Sequence, residues 1–237
     1  MYEYDVIIPA AVKDYVKLPF CVEGLKNLNP APKNIFIVSS RRIKLEGCTW
    51  INEKEVLDIA PEDINYRRNN WIYQQLIKMC QDFTGEWFMT VDSDFVFKKP
   101  IELSSDGYPI YYFNNYPQEH RPYFDFMDKI WGLKKVINYS FICDFMMFRK
   151  KLCRELIPDT KKFVKRLNEI ISEDCLFSEF ETYGNYMAEK YPYSFKIDKI
   201  NVDMHGKHMP NLFGSEEIKQ LLKQQTDADA VVFHSWT

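Results

Sequence analysis

Asp92 and Asp94 flank Ser93 directly after the apolar run Trp87-Phe88-Met89-Thr90-Val91. Two carboxylates at the end of a buried strand are strongly disfavoured without a cation, because each charge loses hydration near a low-dielectric core. A divalent metal that also holds phosphate answers that need. Mg²⁺ and Mn²⁺ favour oxygen donors, and Mg²⁺ in particular is usually held by one or two carboxylates plus substrate phosphates. An Asp-x-Asp tripeptide alone is common in solvated turns, so the apolar strand before it carries the argument.

The other residues of suitable type lie in three groups. Gln74 and Lys78 are four apart on one face of a predicted helix, with Gln75 beside them and Arg67 and Arg68 near the helix start. Such a face can neutralise a diphosphate and hold hydroxyls, stabilising a departing anion; the plain alternative is a solvated face. Ser178-Glu179-Phe180-Glu181-Thr182-Tyr183-Gly184 offers two carboxylates amid aromatics, and Asp144 lies within an apolar run that demands a partner for it. Its partner would be a sugar or a buried arginine. His205-Gly206-Lys207-His208 falls in a loop-like stretch in which Lys207 can close over phosphates.

These groups need a scaffold. Tyr4-Asp5-Val6-Ile7-Ile8-Pro9 and Asn34 to Ser40 read as strands around a helix from about Tyr15 to Leu28, a βαβ opening that implies a parallel sheet. Their near-continuous apolar character implies cover on both faces. Arg67 to Gln81 reads as a helix, and Gly85 resets the chain into the strand that delivers Asp92. Ligands of open α/β sheets bind beyond the carboxyl ends of the strands, which is where the acidic pair falls. Later, 110–113, 141–148 and 230–233 read as strands, and 160–171, 175–190 and 215–224 as helices. No repeat or linker divides the chain, so one domain over 1–237 is expected.

Composition narrows the partners. The 237 residues are 46% hydrophobic, enough for a full core, and the net charge of −3 with mixed signs argues against a nucleic-acid surface. Six scattered cysteines without a CxxC pair fit a reducing, cytoplasmic setting. No apolar stretch approaches the roughly 18–20 residues that span a bilayer, so any membrane contact is expected to be peripheral. The aromatic cluster from Tyr111 to Trp131 is mostly core by this reading, with Tyr116 the one platform suited to a sugar ring.

Tyr-Asp-Val-Ile-Ile-Pro at 4–9, Trp-Ile-Tyr-Gln-Gln-Leu-Ile-Lys at 71–78, Asp-Ser-Asp at 92–94, Ser-Glu-Phe-Glu-Thr-Tyr-Gly at 178–184 and Phe-His-Ser-Trp at 233–236 together resemble the stand-alone GT-A-type glycosyltransferases of bacterial polysaccharide clusters and large DNA viruses. The resemblance spans the chain. It implies a Rossmann-like mixed, mostly parallel sheet flanked by helices, with a nucleotide-binding half at about 1–100 and an acceptor-side half at about 101–237. It further implies a nucleotide-sugar donor, a UDP-sugar by preference, a glycan or lipid-linked acceptor, and Mn²⁺ or Mg²⁺.

Carried over by position, the resemblance makes Asp94 and His234 metal ligands, with Asp92 on the metal or the donor ribose and Ser93 beside them. The loop after the first strand, Pro9, Ala10, Lys13, Asp14 and Tyr15, would meet the nucleotide, Asp14 serving alternatively as a helix cap. Arg68, Gln74, Gln75, Lys78 and Lys207 would attend the diphosphate and donor sugar. In inverting members an acid at a helix start takes the acceptor proton, which points to Glu179, with Glu181 in reserve and Asp144 third. The competing readings are a noncatalytic carbohydrate- or nucleotide-binding scaffold and a nucleotidyltransferase; the latter lacks its Gly-rich loop, since Pro9-Ala10-Ala11-Val12 follows the first strand.

Overall fold

The computed structural model describes residues 3–114, 120–205 and 214–234. In chain order its strands begin β1 (Asp5–Pro9), β2 (Leu28–Asn29), β3 (Asn34–Ser39), β4 (Cys48–Asn52), β5 (Trp87–Val91) and β6 (Phe95–Phe97). They continue with β7 (Ile101–Glu102), β8 (Ser104–Ser105), β9 (Tyr108–Phe113), β10 (Phe145–Arg149), β11 (Lys196–Lys199), β12 (Val202–His205) and β13 (Ala230–Phe233). The helices are α1 (Leu18–Gly24), α2 (Asn69–Cys80), α3 (Arg121–Trp131), α4 (Lys150–Leu156), α5 (Thr160–Ile170), α6 (Glu179–Lys190) and α7 (Ser215–Leu222).

The central sheet runs β10-β5-β1-β3-β4, parallel except for β10, which lies antiparallel to β5 with Phe145 opposite Val91. Every residue of β1 is buried, as expected for a strand covered on both faces. A second sheet, β12-β13-β6, sets β13 antiparallel to β6, so the chain returns beside the acidic turn. One hydrophobic cluster extends from Tyr4 to Val232 and joins both halves. This is the α/β, mostly parallel architecture that the sequence implies.

Several element boundaries differ from expectation for local reasons. The helix expected at 15–28 is cut down: a 3₁₀ turn at Val12–Asp14 precedes it, proline in its first turn starts α1 at Leu18, and a second 3₁₀ turn follows Gly24. A Cβ on Gly24 would stand 2.8 Å from the Phe97 backbone nitrogen, so this glycine lets α1 lie directly on β6. The strand expected at 141–148 starts only at Phe145, because Asp144 has φ of 62°, a left-handed conformation no strand accepts. Expected 175–190 begins at Glu179, where the Ser178 side chain accepts from the Glu181 N–H at 3.3 Å as an N-cap. α3, missed in the sequence, carries the plain signature of Pro122 at its start and Gly132 at φ 69° after its end.

Candidate functional site

The acidic pair sits in a tight turn joining β5 to β6, at the carboxyl ends of the central parallel strands. The Phe95 N–H donates to the Asp92 carbonyl at 3.0 Å and closes the turn, while the Asp92 N–H donates to the Asp144 carbonyl at 2.8 Å. Asp144 thus abuts the pair from β10, and its left-handed backbone is what turns the chain there. The Phe233 N–H donates to the Asp94 carbonyl at 2.9 Å, which brings His234 Nδ1 to 3.8 Å from Asp94 Oδ2.

Two lysines the solvent cannot reach hold the flanks. On one side Lys17, 0% exposed, donates to Asp14 Oδ1 at 2.8 Å and to the Phe233 carbonyl at 2.7 Å. It ties the loop after β1 to the segment that presents His234. On the other side Lys78 lies 2.6 Å from both Asp92 Oδ1 and Glu179 Oε1. Its contact with Asp92 is ionic but off hydrogen-bonding angle, so Asp92 Oδ1 remains a buried oxygen without a hydrogen bond. Burial alone would lower the Lys78 pKa; Asp92 and Glu179 outweigh it and hold the ammonium charged.

The carboxylates outnumber the cations. Burial, then the charges of Asp92 and Asp144, push the Asp94 carboxyl well up; burial and Asp92 do the same to Asp144. Burial raises Glu179 too, in spite of Lys78. These groups would ionise readily with a further positive charge among them, and the donor chemistry of Asp92, Asp94 and His234 suits Mn²⁺ or Mg²⁺. Among the described residues no three His, Cys, Asp or Glu side chains are already gathered as a metal cage. Such a cage is not needed where substrate phosphates complete the shell.

The remaining expected residues are distributed as follows. Ser93 is buried in the acidic turn, and Ala10 is buried with its N–H on the Val38 carbonyl at 2.9 Å. Pro9 offers its carbonyl to Gln74 Nε2 at 3.4 Å, so α2 does lean over the end of β1. Lys13 is exposed, and Tyr15 donates to the Arg41 carbonyl at 2.5 Å. Asp14 does not cap α1, whose N-cap is Lys17; it is the buried ion partner of that lysine. Gln75 accepts the Glu179 N–H at 3.1 Å, while its Nε2 has no hydrogen-bond partner among the described residues. Arg68 places its guanidinium 4.4 Å from the Trp71 ring centroid. Lys207, His208 and Tyr116 lie outside the described residues.

For three of the expected residues the geometry favours a structural tie. Lys78 does not stand free to meet a diphosphate: it is buried between two protein carboxylates. Glu179, 5% exposed, is engaged by that lysine, whose Nζ donates to its Oε1 at 2.6 Å. Glu181 is 1% exposed and saturated, accepting from Ser140 Oγ at 2.7 Å, the Phe141 N–H at 3.2 Å and Asn185 Nδ2 at 2.9 Å. It anchors the segment that leads into Asp144 and is unsuited to act as a base. Asp144 is half-buried, and the cation whose charge opposes the rise of its carboxyl is Lys78 rather than an arginine. Lys17 escaped notice in the sequence, although Asp14 three residues earlier is a legible i,i+3 pair.

No family model matches the sequence, and no curated protein matches it. Among solved structures the chain is similar to the galactosyltransferase LgtC, crystallised in complex with donor and acceptor sugar analogs, with a TM-score of 0.50 and 10% identity over 97% of this chain and 86% of that one. An active-site mutant of LgtC matches with a TM-score of 0.51, again at 10% identity and with the same coverage. At this identity the likeness establishes the GT-A-like fold. No helix among the described residues is long and apolar enough to cross a membrane.

Proposed function

We propose that this chain is a metal-dependent glycosyltransferase that moves a sugar from a nucleoside-diphosphate donor, a UDP-sugar by preference, to a glycan or lipid-linked acceptor. The observation that carries the reading is the Asp92-Ser93-Asp94 turn at the carboxyl ends of β1 and β5, with His234 brought to it from the far end of the described chain. The similarity to a transferase seen with donor and acceptor analogs supports it. Asp94 and His234 would hold Mn²⁺ or Mg²⁺, with Asp92 beside them; when bound, the ion supplies positive charge for the leaving diphosphate.

The protein groups divide the remaining work. The loop after β1, braced by Lys17 and Asp14, receives the nucleotide. Lys78 holds Asp92 and Glu179 in place. The acceptor oxygen attacks the anomeric carbon, the bond from that carbon to the diphosphate oxygen breaks, and the hydroxyl proton passes to a carboxylate. Asp144 is the half-buried acid beside the turn, and a raised pKa brings a carboxylate nearer the range useful to a base at neutral pH. Glu179 takes that role only if substrate draws Lys78 away. Inversion is part of the proposal: the product sugar should carry the anomeric configuration opposite to the donor, and retention would remove the base from the mechanism.

Residues 1–100 and 101–237 would act as one domain, and the six unpaired cysteines support a reducing, cytoplasmic setting. Calorimetric titration of UDP with and without Mn²⁺ is the direct test. Binding should require the metal and weaken at least about tenfold in Asp94→Asn, the loss of a charged ligand. Metal-independent affinity, untouched by that substitution, would leave a binding scaffold. A panel of UDP-sugars scored for Mn²⁺-dependent hydrolysis then identifies the donor.

A further inference from the structure

Beyond the acidic turn, the start of α2 and the start of α3 build a cationic and aromatic shelf. Arg68 lies 4.4 Å over the Trp71 ring, Trp71 and Tyr123 have ring centroids 6.4 Å apart, and His120 and Tyr123 are 5.1 Å apart. Trp71 and Tyr123 are only half-buried and His120 is exposed, so core packing leaves ring surface for a ligand. The neighbouring Arg67 is bound to Glu173, its Nε 2.6 Å from the carboxylate. Arg68 has no carboxylate within ion-pair distance among the described residues. A guanidinium held over indole keeps N–H donors for a carboxylate or phosphate.

The position of the shelf assigns its substrate. The acidic turn divides the site: Asp94 faces His234 and, through Phe233, the Lys17–Asp14 brace of the nucleotide loop. Asp92 faces Lys78 and Glu179 at the start of α6. Trp71 lies one turn before Gln75 on α2, Arg68 is the N-cap of that helix two turns before Gln75, and the charges of Glu179 and Arg68 both act on the Tyr123 hydroxyl. The shelf therefore shares α2 with the Lys78 that meets Asp92 and Glu179, while Gln74 carries the same helix to the end of β1 at Pro9.

We propose that Arg68, Trp71, Tyr123 and His120 form an acceptor subsite for a pyranose bearing an anionic group, the ring lying on the aromatic surface and the anion on Arg68. The anion is a uronate carboxylate or a sugar-linked phosphate. Aromatic faces take the C–H face of a pyranose, and a charged hydrogen bond to guanidinium discriminates the anionic sugar from its neutral counterpart. The word acceptor rests on the transfer reading above; the binding itself does not.

The test compares methyl β-glucuronide, glucose 1-phosphate and methyl β-glucoside as ligands of the whole chain by NMR titration, for the wild type, Arg68→Gln and Trp71→Phe. At least one anionic ligand should bind about tenfold tighter than the neutral glucoside, and Arg68→Gln should erase that difference. The uronide and the phosphate arms tell the two anion sources apart. Trp71→Phe should weaken all three ligands together. Equal binding of charged and neutral ligands, or a preference that survives Arg68→Gln, overturns the proposal. UDP–Mn²⁺ affinity measured in parallel supplies a second refutation: a larger loss there than for the anionic glycoside would move Arg68 to the donor. Arg68-dependent discrimination in a chain that binds no UDP would uphold the subsite and sink the transfer reading instead.

Discussion

Replacing Lys78 by methionine removes the one cation shared by Asp92 and Glu179 while keeping most of the side-chain volume. The lysine side chain is 4% exposed, that of Glu179 6% and that of Asp92 26%. Deleting one partner of a buried ion pair costs about 3–5 kcal/mol, because the other charge stays buried without compensation. Asp92 can recover some hydration and Glu179 cannot, which places Lys78→Met near the lower figure, about 3 kcal/mol. For a chain of this size that is a fall in melting temperature of about 6–12 °C. Adding Glu179→Gln should restore at least about half of the loss, since the second substitution removes the stranded charge. Thermal and urea unfolding of the wild type, both single variants and the double variant complete the cycle. A Lys78→Met melting point within about 2 °C of wild type, or a double variant no better than the single, would show that Lys78 is not the counter-ion of this site.

Lys17→Met should lower stability and, in the variant that still folds, weaken Mn²⁺-dependent UDP binding, because it removes the ammonium that joins Asp14 to the Phe233 carbonyl; unchanged binding would disprove the brace. Gly184→Ala would put a Cβ 2.2 Å from the Phe141 ring, and overpacking of this kind costs about 1–3 kcal/mol or more; Phe141→Leu should relieve it, as read by melting temperature. The Glu173 carboxyl is held down to about 2 by hydrogen bonds from Arg67 and Tyr66, below the ordinary glutamate value of 4.5. Its contribution to stability is therefore present above pH 4.5 and lost as pH falls through about 2, and carboxyl-carbon NMR should show that low midpoint in the folded chain and a normal one in Arg67→Ala.

The elements with strong local signals were readable in the sequence. β1, β3 and β5 are short apolar runs with turn residues beyond them, α2 has a clear apolar stripe, and the acidic turn follows from where β5 must end. Distances across the chain were not. Glu179 and Glu181 look like exposed helix acids because nothing local shows Lys78, about a hundred residues earlier, or the Ser140 loop closing over them. Trp71 reads as core by its helical spacing, yet it is half-buried, with Tyr123 of α3 beside its ring. β4 and α4 were missed because Cys48 to Asn52 mixes polar with apolar residues and Lys150 to Leu156 is short and highly charged.

The links that build the site join residues far apart in the chain: Lys17 and the Phe233 carbonyl are separated by 216 positions, Lys78 and Glu179 by 101. Closing loops of that length costs entropy before any contact repays it, so these contacts form late in folding. The acidic turn can therefore exist in a half-formed chain, but its charge-compensating neighbours cannot. Until the last strand docks, Asp92 and Asp94 are ordinary hydrated carboxylates with ordinary cation affinity. On the proposed function, nucleotide-linked metal binding would thus report completed folding, and it should be lost in any species in which β13 has come away, even while the parallel sheet stands.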